Sequence, residues 1–455
     1  MTNSPAKLRD SGTVAASARI QAAITDTRSG TELSAGTIRA LIDDFVAGHT
    51  ADHQMAAWLA TVACRGLSPD ETFALTDAYV QGGERLRFPR GGRVVVDKHS
   101  TGGVADTVSL VVVPVVAACG VAVVKMSGGG LGFAGGTLDK LASIKGLRLD
   151  LGPAEVHEMI DRVGMCITGQ NASLAPGDGA TYALRDITAT VESIPLIAAS
   201  IMSKKVAVGA DGLVLDVKTG PGALIPDVDR AIELAETMIG LAGRFGLRCR
   251  VVVTDMSEPL GSLVGNALEV REAIALLNGA SVSRLSEVCR TVARLMLQSA
   301  DPNLTGEAAE IAVTQALTSG AAFRHLREWV KAQGGDVRMV DEPDRLPSAL
   351  HRTTVTARRS GWVHEVDPRR VGMAAVHTGA GRLTHNAELD YGAGVELLRR
   401  VGDRVDAGDP VAVLHAATEN PKHAVRLLAD AFTVGEEPCA PAPVIHRVLA
   451  NTGRD

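Results

Sequence analysis

Aromatic rings are scarce in this chain: three Trp, three Tyr and seven Phe amount to 3% of 455 residues. Basic runs are lacking too, and the formal charge is −6. Nucleic-acid binders want a positive stripe and rings on which bases can stack, so both shortages argue against that class. Nor does any window approach the ~20 unbroken apolar residues of a membrane span, which argues against a role in the bilayer. The opening MTNSPAKLRDSGTVAASARI has no apolar stretch ending in a cleavage-like site. Residues 1–18 therefore read as a flexible polar arm, and the cytoplasm is the expected compartment. Cysteine is present but scattered. Cys64, Cys119, Cys166, Cys249, Cys289 and Cys439 make no CxxC pair and have no His at metal-ligand spacing, so they read as core thiols.

What the chain does have is apolar content, 46% against 22% charged, over a length that suggests two to four folding units at roughly 100–200 residues each. From about Ile20 to Gly83 the apolar residues recur at helical spacing. Ser68-Pro69-Asp70-Glu71 reads as a helix start, with an N-cap, an N1 proline and a capping-box glutamate. After Pro89 short β-branched runs alternate with helical stretches: RVVVD (93–97), VAVVKM (121–126), MCITG (165–169), GLVLDV (212–217) and RVVVTDM (250–256). Such alternation predicts a parallel sheet with helices on both faces. A helical insertion over about 177–210 interrupts it and is suited to rejoin the N-terminal helices. Helices continue from Asn266 to about Gly335, and DEPDRLPS (341–348) marks a boundary. Beyond it, SGWVHEVDPRRVGM and VGDRVDAGDPVAVLHA read as strands joined by Gly/Asp turns, with one helix near 420–433.

The segment Asp97-Lys98-His99-Ser100-Thr101-Gly102-Gly103 sits where the first strand ends and a helix over Val108–Cys119 begins. Paired glycines let backbone N–H groups approach an anion, the helix start adds partial positive charge, and Lys98, Ser100 and Thr101 offer further donors. A second glycine loop, Ser127 to Thr137, follows the second strand in the same way. Taken singly, each loop reads equally well as a tight strand-to-helix turn. Paired, and carrying Lys, His, Ser and Thr, they point to an anion site that is neither a Walker nor a GxGxxG motif.

DKHSTGGV (97–104), AACG (117–120), GGTLDKL (135–141), SLAP (173–176), RDITATVESIPLI (185–197), GNALEV (265–270) and VREA (270–273) resemble, in the same order, segments of the thymidine and pyrimidine-nucleoside phosphorylases. The resemblance runs over about residues 20–450. It implies an α/β protein of the nucleoside phosphorylase type II-like fold. A helical, base-binding domain (19–88 and 177–210) would face a phosphate-binding α/β domain with a mixed or parallel sheet (89–176 and 211–340) across a cleft. A C-terminal α+β domain (349–455) would follow, and the assembly would be a homodimer. The implied activity is that of a pentosyltransferase, splitting a pyrimidine nucleoside such as uridine or thymidine with inorganic phosphate as co-substrate and no organic cofactor.

Carried over by residue, the family's phosphate site falls on Lys98, Ser100, Ser109, Ser127 and Thr137. Its base site falls on Arg185, Ser200 and Lys204, with His99 reaching the base from the phosphate side. Ser200 and Lys204 are four apart in a helical stretch and so share one face, although a solvated helix face gives the same spacing. Phosphorolysis needs no protein nucleophile, because phosphate attacks C1′ as the glycosidic bond breaks. Lys98 and the hydroxyls would position phosphate, while Arg185 and Lys204 would favour the departing base. His99 either protonates the base carbonyl or donates a hydrogen bond as a neutral ring. The resemblance also implies a monovalent cation, such as K+, on Thr107 and Glu272 side chains and on the Ala105, Leu260 and Leu263 carbonyls. A purely structural role suits these residues as well.

Lys125 before Met126-Ser127 resembles the broad-specificity branch that accepts the uridine 2′-hydroxyl; an ordinary surface lysine is the alternative. Departures cluster at the implied cleft. The family pattern has Arg at Gly129, His at Phe133, Thr at Ala134, Gly at Ala105, Ser at Pro221 and Phe at Leu224. These changes imply a weakened loop latch, and either a modified nucleoside, changed at the 5′ position, or slow turnover of ordinary uridine. Two rivals remain: a phosphoribosyltransferase resembling anthranilate phosphoribosyltransferase, and a nucleoside-binding protein without catalysis.

Overall fold

The computed structural model describes residues 11–89, 92–130, 133, 135–169, 173–382, 384, 387–419 and 421–451. Two compact units form: Met1–Arg87 with Ala172–Gly209 and Glu236–Leu247, and Phe88–Asn171 with Ala210–Ala235 and Arg248–Asp455. No helix among the described residues is long and apolar enough to cross a membrane.

The smaller unit is helical. Helices Ala35–Val46, Asp52–Arg65, Pro69–Gln81, Pro176–Ile187 and Ile194–Val208 bury Leu41, Trp58, Leu75, Tyr79, Leu196 and Ala199 in one core. The start at Ser68 is built as its residues dictate. The Glu71 amide donates to Ser68 Oγ at 3.2 Å, the Ser68 amide donates to Glu71 Oε2 at 2.8 Å, and Leu33 donates to Glu71 Oε1. The expected arm over 1–18 needs correction. Residues 1–10 lie outside the described residues, but a helix already spans Ser11–Ser29. Its Ala16, Ile20 and Ala23 are buried at helical spacing. Burying Ile20 alone stabilises by about 1.5–3 kcal/mol, enough to outweigh a polar composition that hides the helix. The segment Glu236–Leu247, expected in the α/β domain, also belongs here: the Phe245 ring lies 4.8 Å from Phe73, and Arg244 covers Phe73 while pairing with Asp70.

The larger unit carries the strands. In chain order they are β1 (Val95–Ser100), β2 (Ala122–Ser127), β3 (Met165–Gly169), β4 (Gly212–Thr219), β5 (Arg248–Asp255), β6 (Leu263–Val264), β7 (His351–Thr356), β8 (Gly361–Val366), β9 (Gly394–Leu397), β10 (Arg404–Val405), β11 (Pro410–Ala416), β12 (Phe432–Gly435) and β13 (Ile445–Ala450). The main sheet runs β13-β5-β4-β1-β2-β3, parallel throughout except for β13, so it is mixed. Parallel neighbours put the loops after β4, β1 and β2 along one edge, where α/β proteins bind ligands. Helix Val108–Ala118, apolar all round and buried from Val108 to Ala117, packs beneath that edge.

Two small sheets, β10-β8-β12 and β6-β9-β11-β7, complete the unit. The tail is more helical than expected: a helix, Pro368–Thr378, starts inside the run read as strand and continues beyond it. Asp367 caps it by accepting the Arg369 and Arg370 amides, and Pro368 pre-sets its first turn. The core of the tail includes Val104 and Ala105 from the first glycine loop, so tail and α/β sheet share packing.

Candidate active site

Alternation along the strands assembles the first half of the site. Ser100 is in register with Asp216 and Lys218 with Thr254, so Lys98, Ser100, Asp216, Lys218 and Thr254 share one face of β1, β4 and β5. On that face Lys98 is fully buried, its Nζ 3.5 Å from Ser109 Oγ and 3.4 Å from Asp216 Oδ2. Asp216 is held more tightly by Lys218 at 2.7 Å and by the Thr254 hydroxyl at 2.6 Å. The longer contacts leave Lys98 the less committed lysine. Ser100 Oγ donates to Asp106 Oδ2 at 2.5 Å and accepts the Gly102 amide. Lys140 pairs with Glu269 at 2.6 Å and donates to the Asp106 carbonyl.

Burial would raise the Asp106 carboxyl, but Lys218, Lys98 and Lys140, with the Ser100 hydroxyl, outweigh it and hold Asp106 far below the usual carboxylate range. Burial likewise works against a charged Lys218, yet Asp106 and Asp216 leave its proton held more firmly than usual. Sequence reasoning passed over Asp106, Lys140, Asp216, Lys218 and Glu269. The legible signal was a carboxylate and a lysine two apart inside an apolar strand, LVLDVKT.

His99 is half-buried at the end of β1, on the face opposite Lys98. Lys125 is buried rather than superficial, and its Nζ donates to the Met126 carbonyl at 2.8 Å. Ser127 and Thr137 stand half-buried at the two ends of the second glycine loop. The loop is pinched at its neck, where a Cβ on Gly136 would collide with the backbone of Gly129 and Gly130. There the Gly130 amide donates to Asp139 Oδ2 at 2.5 Å and Arg382 donates to Asp139 Oδ1 at 2.8 Å.

The smaller unit carries a second set of candidate residues. Lys204 Nζ donates to Asp178 Oδ2 at 2.5 Å and to Ser200 Oγ at 3.1 Å, so this pair does not lie on a solvated face. Asp178 Oδ1 is buried without a hydrogen-bond partner. Arg185, 1% exposed, gives three of its five N–H donors to the carbonyls of Thr190, Leu196 and Val191. Burial lowers its pKa. The Tyr182 ring, partly exposed, lies 5.5 Å from the Arg185 guanidinium and 5.9 Å from Lys204 Nζ. Burial first, and then Asp178, push the Tyr79 hydroxyl well above its ordinary range, so it stays protonated and bonds Thr181 at 2.8 Å. Asp178, Tyr79 and Tyr182 were missed from sequence.

The residues carried over for a monovalent cation meet in the larger unit. The Ala105 carbonyl accepts the amides of Thr107 and Gly261. Thr107 donates to Glu269 at 3.0 Å, and the Leu260 carbonyl accepts from Arg400 at 3.2 Å. Leu263 and Ser262 donate their amides to Glu272 Oε1, while Glu272 Oε2 is buried with no hydrogen-bond partner. Burial pushes this carboxyl up to about 7, opposed by the Ser262 amide, reinforced by Glu269 and opposed by Arg400. Glu272 Oε2 is thus a buried acceptor that a desolvated cation could satisfy, while the Ala105 and Leu260 carbonyls already accept hydrogen bonds.

Among the departures, Ala105 adopts φ 55°, the left-handed region that a glycine enters freely. Pro221 is exposed and Leu224 half-buried. Ala134 lies outside the described residues.

Residues 92–323 match the glycosyl transferase family a/b domain, residues 21–83 the helical bundle domain of that family, and residues 362–435 the pyrimidine nucleoside phosphorylase C-terminal domain. Pyrimidine-nucleoside phosphorylase of Staphylococcus aureus strain MSSA476 is 39% identical over 422 residues, 93% of this chain and 97% of that protein. The protein of the same name from strain USA300 is 38% identical over the same shares. Anthranilate phosphoribosyltransferase from Thermus thermophilus is similar with a TM-score of 0.57 at 21% identity, covering 68% of this chain and 99% of that one, a likeness of fold alone. By its matches in all three segments and across nearly its whole length, the chain belongs to the thymidine and pyrimidine-nucleoside phosphorylase family of pentosyltransferases.

Proposed function

We propose that this chain catalyses phosphorolysis of a uridine-type pyrimidine nucleoside, giving the free base and an α-pentose 1-phosphate. The observation that carries the reading is the buried cluster at the end of β1, where Lys98 sits beside Ser109 but is only loosely tied to Asp216. Lys98, Ser100, Ser109, Ser127 and Thr137 hold phosphate below the sugar. Positioning makes the attack on C1′ effectively intramolecular, and fixed donors act as charge leaves phosphate. Arg185, Ser200 and Lys204 hold the pyrimidine, and the two cations favour it as an anion. His99 completes the base contacts, as the acid toward the carbonyl or as a neutral donor. The two sets lie on different units, so turnover requires that they meet around one nucleoside.

Thr107, Glu272 and the carbonyls of Ala105, Leu260 and Leu263 would hold K+, which would neutralise Glu272. K+ would then raise Tm over tetramethylammonium in the wild type but not in Glu272→Gln; equal Tm values would refute the site. The enzyme works as a cytoplasmic homodimer in this reading. Buried Lys125 supports uridine as the substrate, while Phe133 and Leu224 support a nucleoside altered at the 5′ position. Chromatographic release of uracil from uridine, with and without phosphate, tests the reaction. Base released without phosphate, or never released from any pyrimidine nucleoside, sinks it. Relative rates on uridine, thymidine and 5′-substituted uridines then choose the substrate, uridine being fastest if the alteration is irrelevant.

A further inference from the structure

Three loops of the larger unit converge on the first turn of helix Pro368–Thr378. Gly103 of the first glycine loop and Gly222 of the turn after β4 both close on Met256. A Cβ at Gly222 would lie 2.7 Å from Met256 Cγ and 2.8 Å from Pro368 Cβ. Phe133, a residue of the second glycine loop, packs against the C-terminal core. The helix comes so near that a Cβ at Gly372 would stand 2.5 Å from the Phe133 carbonyl oxygen, an approach only glycine permits.

Arg369 ties two of these loops together. Its guanidinium carbon lies 5.4 Å from the centre of the Phe133 ring, and its Nε donates to the Pro221 carbonyl at 2.6 Å. Phe133 and Pro221 are both positions where the sequence departs from the family pattern. Phe133 thus has an apolar and cation–π anchorage within the larger unit. Asp139 thus holds Gly130, close to Gly136, while Arg369 holds Phe133, so described residues between Ser127 and Thr137 are tied at two points.

We propose that Arg369 is a positioning residue for phosphate binding: by clamping Phe133 to Pro221 it sets the second glycine loop, and with it Ser127 and Thr137, before phosphate arrives. The proposal rests on the phosphorolysis reading. Pre-setting a loop lowers the ordering cost of binding and leaves the contacts themselves unchanged. Arg369 is not among the residues proposed to hold phosphate or nucleoside, and its side chain is exposed, so its removal spares the fold.

Calorimetric titration of the full-length chain with inorganic phosphate reads this without turnover. Arg369→Ala should weaken phosphate binding about fivefold, the combined worth of an exposed cation–π contact and one hydrogen bond, with Tm and nucleoside KM unmoved. Arg369→Lys, which can cover the ring and donate one bond, should recover most of the loss. Phe133→Ala should weaken phosphate to a similar extent, and the double variant no further than the worse single one. Unchanged phosphate affinity in Arg369→Ala overturns the proposal, as does equal worsening of phosphate and nucleoside constants or full additivity with Phe133→Ala. A wild-type chain that binds no phosphate overturns the phosphorolysis reading and this proposal with it.

Discussion

The two sets of candidate residues, one in each unit, neutralise their cations by different means. In the larger unit Lys98, Lys218 and Lys140 are answered by three carboxylates, Asp216 on a strand, Asp106 on a loop and Glu269 on a helix. In the smaller unit Arg185 is answered by three carbonyls, and Lys204 by Asp178 and a hydroxyl. Carbonyls orient a guanidinium without cancelling its charge, so the base set keeps positive charge in hand while the phosphate set is balanced. Under the proposed reaction, negative charge flows from the balanced set toward the unbalanced one, which lowers the barrier without gripping the ground state.

The strongest way to break this contrast is through the partners of the lysines. Asp216→Asn leaves Lys98 and Lys218 short of a buried counter-charge and should cost about 3–5 kcal/mol of unfolding free energy in denaturant melts. Asp178→Asn, beside a partly exposed Lys204, should cost less than half as much. Similar losses would erase the distinction. The lysines themselves sharpen it on the kinetic side. Lys98→Met should lower kcat/KM for phosphate about 10²–10³-fold, while Lys204→Met should act mainly on the nucleoside. If both variants damaged both substrates alike, the division of labour would be wrong.

Acid probes the carboxylates of the larger unit. Because Asp106 is depressed in the folded state, the unfolded chain binds its proton more readily. Its contribution to stability is therefore whole above the ordinary carboxylate value of about 4 and drains as pH falls below it. Asp106→Asn should flatten the fall of Tm between about pH 5 and 3, and an unchanged acid limb would show that Asp106 is not held this way. The smallest expected effect is at Ala105. A left-handed alanine costs about 1–2 kcal/mol, against about 0.5–1 kcal/mol of extra backbone entropy lost by glycine, so Ala105→Gly should stabilise by roughly 1 kcal/mol or less. A lower Tm in that variant would mean the strain is absent.

Much of this was legible in the sequence. The β-branched runs mark β1 to β5 to within a few residues, since buried parallel strands have little freedom of composition. Ser68-Pro69-Asp70-Glu71 specifies its helix locally and needs no tertiary help. The helix Pro368–Thr378 could have been read from Asp367-Pro368, but its apolar residues follow a strand closely and blur the change of period. The buried charges could not be read at all. Asp216 matters because β4 lies between β1 and β5, and Asp178 because the next helix folds back to bring Lys204 to it; such pairings exist only once strand order and helix packing are set. Arg185 stands out in the sequence, but its commitment to three carbonyls does not, because it depends on how the chain turns after Ile187.

The core that joins Ile20 and Trp58 to Leu196 and Ala199 draws on stretches of chain with β1, β2 and β3 in between. A growing polypeptide therefore makes its first four helices long before their remaining partners exist, and must leave part of an apolar surface waiting. Locally formed helices would fold fast on their own, yet here the last step is a distant closure, so refolding should be paced by topology and not by helix formation. The same interleaving bars inheritance by cassette: neither unit can be cut out or exchanged at a single junction without breaking the core of the other.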